Sequence, residues 1–328
     1  MPELPEVETV RLGLQQHTLG LSLARVEILR SRAIASPSDP ALFSFALAGT
    51  IIQAWRRRGK YLLADLRHQD GSDAGIWGVH LRMTGQFLWL DRSWQSDEQP
   101  PALGTEAPGL KEPEPKPEPE AGKGPEEHPE EGAAPDAGTS RGMQHVRVRL
   151  WSDAGDELRF IDSRSFGQMW WVPPGWAPER VITGLARLGP EPFDPAFSKA
   201  YLRRRLQGSR RPIKSALLDQ SLVAGIGNIY ADEALFAAGL RPQRPSGELS
   251  DADLGRLRHA LVTVLRTSIG AGGTTFSDFR DLQGVNGNYG GQAWVYRRAG
   301  QACRTCGSTI ERQRIAGRSS HWCPRCQH

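Results

Sequence analysis

At 328 residues with a formal net charge of +4, the chain is long enough for two or more domains with packed cores. It has no apolar run near the length of a membrane span, and its acidic start lacks the regions of a secretion signal, so it is expected in the cytosol. The charge is uneven: residues 96–142 hold 12 acidic and 4 basic side chains, leaving 37 basic and 25 acidic elsewhere, a surplus that suits a polyanion partner as well as an ordinary basic surface.

The chain begins MPELPEVETV, with Pro2 and Glu3 ahead of a segment in which Val7, Val10 and Leu14 stand at helical spacing. Short β-prone runs follow: LARVEIL, TIIQAW, KYLLADL and GIWGVHLRM, then HVRVRLW, ELRFID and GQMWWV beyond the acidic tract. Val146, Val148 and Leu150 alternate with Arg147 and Arg149, the period of a half-buried strand. This pattern predicts a β-sandwich entered through one helix. The tract at 96–142 is rich in Pro, Glu, Gly and Ala and nearly free of large apolar residues, so it reads as a disordered, solvated insert.

From about Phe197 the pattern turns helical, after a Pro-rich hinge candidate at LGPEPFDPAF. The stretch PIKSALLDQSLVAGIGNIYADEALFAAGL reads as helix, glycine turn, helix. Gly225 and Gly227 allow the tight turn, and Asn228 stands where it would cap the second helix. Such a helix start favours a phosphate, as do Arg210, Arg211 and Lys214 just before it. A further helix begins at Ser250, with Asp253 three residues on.

All four cysteines lie in the last 26 residues, as Cys303-x2-Cys306 and Cys323-x2-Cys326 separated by 16 residues. That spacing fits a zinc ribbon in which four thiolates fill a tetrahedral shell, leaving a structural ion with no open position. His321 and His328 are then not needed as ligands. Arg312, Arg314 and Arg318 lie between the pairs and suit phosphate contact. The resulting fold is α+β: an N-terminal β-sandwich with a leading helix (2–180), a hinge (181–198), a helical domain (199–293) and a zinc ribbon (294–328).

Together, MPELPEVE, RRRGKYLL, HLRMTGQF, DSRSFG, LGPEP, LLDQSLVAGIGNIYADEALF, GGTTFSDF and the paired cysteines around an intervening GR resemble the formamidopyrimidine-DNA glycosylase family. The motifs run in family order along everything but the insert. The resemblance implies a helix-two-turn-helix domain, one structural Zn2+, and a bacterial base-excision-repair enzyme acting as a monomer on duplex DNA with oxidised or abasic sites. It further implies that Pro2, freed by removal of Met1, is the nucleophile that forms an iminium at the sugar C1′. Glu3 would assist base loss, Lys60 would act at the scissile phosphate in β-elimination, and Arg318 would clamp phosphate and serve δ-elimination. The expected substrates are 8-oxoguanine and formamidopyrimidines, with an endonuclease VIII-like preference for oxidised pyrimidines, or a non-catalytic damage-binding relative, as alternatives.

The same resemblance assigns Met83, Arg164 and Phe166 to a wedge that fills the duplex when a nucleotide is everted, whereas by themselves Met83 and Phe166 read as core residues. His80, His145 and Asn228 are expected at the DNA, and residues 274–291 are expected to cap the everted base. Glu6 reads either as a support of the catalytic corner or as a helix-start acid. Departures from the family pattern are Ser165 after the wedge arginine, Met143 near His145 in place of a second histidine, and Ser277 in the capping stretch.

Overall fold

Helix α1 (Leu4–Thr18) starts three residues before Val7, the first of its spaced apolar positions, because Glu3 and Glu6 form a capping box around its first turn. The computed structural model describes residues 1–93, 144–274, 282 and 289–328. The insert, Met143, Ser277 and most of the expected capping stretch lie outside the described residues.

After α1 come β1 (Leu23–Ile28), β2 (Ile34–Ser36), α2 (Pro40–Leu47), β3 (Ile51–Arg58), β4 (Tyr61–Arg67), β5 (Asp73–His80) and β6 (Gly85–Leu90). Beyond the insert follow β7 (Val146–Ser152), β8 (Glu157–Asp162) and β9 (Gln168–Val172). They form a four-stranded sheet, β1-β7-β8-β6, and a five-stranded one, β2-β9-β5-β4-β3. Val7, Leu14, Phe43, Trp55, Trp77, Phe87 and Phe160 share the core built on these sheets and α1. The five-stranded sheet buries side chains in a second cluster too, where Tyr61, Leu63 and Trp170 meet Ile182 and Leu185.

Strand β7 keeps its predicted alternation, but its arginine face is not open to water. Arg147 is 7% exposed. Arg149 lies over the Trp151 ring at 4.5 Å and bonds Glu157. The strand is interior to its sheet, so charges there need partners. Strand β6 and helix α2 carry no clear signal in the sequence and are additions to the predicted sandwich.

The helical part comprises the short α3 (Pro178–Val181), then α4 (Lys199–Leu206), α5 (Ile213–Leu217), α6 (Asn228–Ala238) and α7 (Asp251–Gly270). Ser250 caps α7 in a capping box with Asp253, as the sequence predicts. Leu4, from the first turn of α1, is buried in the helical core beside Ile226 and Tyr230. The amino-terminal corner is therefore part of the domain junction. Last come β10 (Glu311–Ile315) and β11 (Arg318–Trp322), an antiparallel hairpin over the cysteines. Its two-residue turn has Ala316 at φ 47° and Gly317 at φ 79°, the double positive φ of a type I′ hairpin.

Candidate active site and nucleic-acid interface

A cavity of about 810 Å³ opens between the sandwich, the glycine turn and the hairpin, and Met1, Glu3, Lys60, His80, Asn228 and Arg318 are among its lining residues. Met83 stands at the same cavity. Pro2 is buried next to Met1. The structure thus brings together residues spread over most of the chain.

Glu3 is 3% exposed, and its carboxylate accepts the amides of Ile229 (2.9 Å) and Tyr230 (3.3 Å) at the start of α6. This corrects two expectations. Gly227, not Asn228, is the N-cap residue of α6. The group that meets these α6 amides is the Glu3 carboxyl itself rather than a bound phosphate. The glycines make room for this contact: a Cβ on Gly225, at φ +88°, would lie 2.6 Å from Leu4 Cδ1, and one on Gly227 would lie 2.2 Å from Glu3 Cδ.

Burial is the main cause holding the Glu3 carboxyl above its ordinary pKa, with Lys60 opposing and Glu6 reinforcing. Lys60, 6% exposed, follows Gly59 in the β3–β4 turn. Burial lowers its pKa against the pull of Glu3 and Glu6, and Arg318 adds to the lowering. Both groups are therefore shifted towards their neutral forms.

Glu6 is a support of this corner, and more than a helix-start acid. It accepts the Glu3 amide at 2.8 Å, and both the amide and the hydroxyl of Thr274 at 2.9 Å. The Tyr230 hydroxyl also donates to it. The turn bearing Lys60 is tied to the expected hinge: Glu191 accepts the Gly59 amide at 2.6 Å and pairs with Arg57 and Arg58 at 2.8 and 3.1 Å.

Met83 and Phe166 are 40% and 39% exposed, so they are not core residues. Arg164 is exposed and stacks over Phe166 at 5.1 Å. Each of the two turns holds a non-glycine residue at positive φ, Arg82 at 55° and Ser165 at 53°. Asp162, fully buried, knits them together: it accepts the amides of Arg164 (3.2 Å) and Gly167 (2.6 Å) and the hydroxyl of Thr84. Nothing in the sequence alone marks Asp162 for this role, although it opens DSRSFG.

His80 accepts the Arg82 amide on Nδ1 at 3.0 Å, which leaves Nε2 as its donor. His145 is half-buried, and its carbonyl accepts the Asp162 amide. Asn228 hydrogen-bonds with the Tyr296 hydroxyl. Arg210 and Arg211 are exposed, the latter paired with Asp219 at 3.0 Å. Lys214 departs from expectation: its side chain is 1% exposed and paired with Asp232 at 2.7 Å, so it is not presented to a phosphate. Asp232 and Glu233 also went unremarked in the sequence, although two adjacent acids inside IYADEALF must find partners if that apolar helix is buried. Glu233 accepts three successive amides, from Trp294, Val295 and Tyr296.

The four cysteine sulfurs lie within 4.8 Å of one another, with Cys303–Cys326 at 3.9 Å and Cys306–Cys323 at 3.4 Å. A tetrahedron with metal–sulfur bonds of about 2.3 Å has edges of about 3.8 Å, so the set fits zinc.

Residues 1–169 match the family model of the formamidopyrimidine-DNA glycosylase N-terminal domain, and residues 188–280 that of its H2TH domain. The chain belongs to the formamidopyrimidine-DNA glycosylase family. Residues 300–328 match the zinc finger found in FPG and IleRS, in agreement with the thiolate geometry, so the tail holds one structural zinc ion. A formamidopyrimidine-DNA glycosylase of Synechococcus sp. is 57% identical over 100% of this chain and 99% of its own length. One of Prochlorococcus marinus is 53% identical over the whole of both. The crystal structure of MutM (FPG) from Thermus thermophilus is 35% identical, with a TM-score of 0.74 over 99% and 98% of the two chains. A complex of Lactococcus lactis Fpg with abasic-site DNA is 27% identical, with a TM-score of 0.76 over 99% of each.

Proposed function

We propose that this chain is a bifunctional DNA glycosylase and AP lyase of base-excision repair that removes 8-oxoguanine and formamidopyrimidines from duplex DNA. The observation that carries this reading is the convergence of the Pro2–Glu3 corner, Lys60 and Arg318 on one cavity, with Met83 at the same cavity. With Met1 removed, the secondary amine of Pro2 attacks C1′. An α-amino group has a pKa of about 7.7–8.0, so a useful fraction is neutral at physiological pH.

Glu3, whose carboxyl burial holds above its ordinary pKa, donates a proton as the base departs. The iminium draws electrons from the C2′–H bond, and the 3′ phosphate leaves by β-elimination beside Lys60. A second elimination, with Arg318 at the phosphate, releases the sugar. Eversion costs about a few kcal/mol, and Met83, Arg164 and Phe166 fill the gap that it leaves. His80, His145, Arg210, Arg211 and Asn228 contact the DNA, and the enzyme works as a cytoplasmic monomer. No helix among the described residues is long and apolar enough to cross a membrane.

The test is borohydride trapping on a duplex with 8-oxoguanine opposite cytosine, followed by peptide mapping. An adduct at Pro2 in protein lacking Met1 is expected, and none in protein with a blocked N-terminus. Full activity from the blocked protein would sink the mechanism; tight binding without an adduct would leave a binding-only relative.

A further inference from the structure

Behind Arg318 lies a set of buried charges that the reaction above does not use. Lys214 on α5 and Asp232 on α6 pair at 2.7 Å with side chains 1% and 0% exposed. The Lys214 ammonium also donates to the carbonyl of Ser319 at 2.6 Å. Asp232 accepts the backbone amide of His321 at 2.9 Å and approaches its ring Nδ1 at 3.2 Å. Ser319 and His321 are both in β11, which Arg318 opens.

A two-stranded ribbon has a free edge on each strand and is marginally stable alone. In β11, whose other edge pairs with β10, the free edge offers the Ser319 carbonyl and the His321 amide, and the Lys214–Asp232 pair takes both, as a third strand would. Stability does not explain the choice of ions here. A buried ion pair costs desolvation, and apolar residues of similar volume often serve as well or better. What apolar side chains do not supply is a donor and an acceptor for a strand edge. The Lys214 anchor is one residue from Arg318, and the preceding Ala316–Gly317 turn fixes the strand's direction.

We propose that Lys214 and Asp232 are positioning residues for strand cleavage, locking β11 so that Arg318 is presented to the cavity containing Glu3 and Lys60. The inference rests on the role given above to Arg318. The test is the ratio of δ- to β-elimination products on an abasic-site duplex, in the double variant Lys214→Met with Asp232→Leu, which leaves no buried charge unpaired. Zinc content and the yield of the trapped Pro2 adduct are measured alongside.

The variant is expected to hold one zinc per chain and to form the Pro2 adduct at close to the wild-type level. Its δ-to-β ratio should fall by about tenfold, as in Arg318→Ala, and adding Arg318→Ala should lower it no further, since residues acting through one another are not additive. An unchanged ratio, or a loss that multiplies with Arg318→Ala, would overturn the proposal. If the double variant does not retain zinc, Lys214→Met with Asp232→Asn keeps an amide oxygen for His321 and is read by the same two outcomes. A wild-type protein that neither traps nor cleaves would overturn the functional reading and this inference with it; an active wild type with variants at the wild-type ratio overturns the inference alone.

Discussion

His80 is 7% exposed and its pKa is pushed down to about 3, by burial first and then by Arg82 and Lys60. The ordinary value is 6.5, so between pH 6.5 and 3 the unfolded chain binds a proton that the folded chain refuses. The unfolded state then holds more protons, and stability falls as pH falls through that window. The contribution is fully present above pH 6.5, at about 1.4 kcal/mol per unit of separation. Urea unfolding from pH 7 to pH 4 should show a shallower acid loss in His80→Gln than in wild type; parallel curves would mean that the imidazole is protonated in the fold. A neutral ring whose Nδ1 is occupied by the Arg82 amide also has its tautomer set, which leaves Nε2–H as the ring's donor.

At the scale of elements, the start of α6 is shaped by what approaches it. Gly227 has an ordinary φ of −132°, so an alanine there strains no dihedral, and as a poorer N-cap it costs the helix about 1 kcal/mol. Its Cβ would nevertheless fall 2.4 Å from Glu3 Oε1. Gly227→Ala should therefore displace the Glu3 carboxyl and slow base release by about a hundredfold, the low end for a general acid. Cleavage of a preformed abasic site, which needs no base loss, should be much less affected. Single-turnover assays on the two substrates separate these; equal losses on both would mean that the alanine had deformed the whole corner.

That contact also marks where sequence reasoning stopped. The apolar spacing of α1, the Ser250–Asp253 box and the cysteine pairs are local patterns, legible within a few residues. The exposure of Met83 and Phe166 was legible only through the family resemblance, since nothing local distinguishes a Met or Phe held outwards from one held in a core. The exposure expected of Lys214 fails because its partners lie on other elements: Asp232 on α6, and Ser319 105 residues along the chain. The cap expected at Asn228 falls at Gly227 instead, where the α6 amides meet an acid from far along the chain, Glu3, 226 residues before Ile229.

For the whole molecule, the remaining question is how an acidic tract coexists with a DNA-facing body. Strands β6 and β7 both pair antiparallel with β8, so they run parallel to one another and the insert lies in the crossover between them. Leu90 is level with Glu157 and Val146 with Ile161, so the crossover must run about 13 Å along the strands and about 10 Å across them. Residues 91–95 and 143–145 reach about 26 Å when extended, so removal of 96–142 leaves enough chain to close the path. The deletion raises the net charge by 8, from +4 to +12, because the tract has 12 acidic and 4 basic residues. Repulsion from such a tract is screened beyond about 8 Å at physiological ionic strength. The deleted protein should keep the wild-type rate of excision at saturating DNA, bind duplex more tightly at low salt, and converge with wild type as salt rises. Excision rates and affinities measured across a salt series decide the point. A large fall in the saturated rate would make the tract part of the catalytic machinery, whereas a salt-dependent change in affinity alone would make it a charge that tunes encounter with DNA.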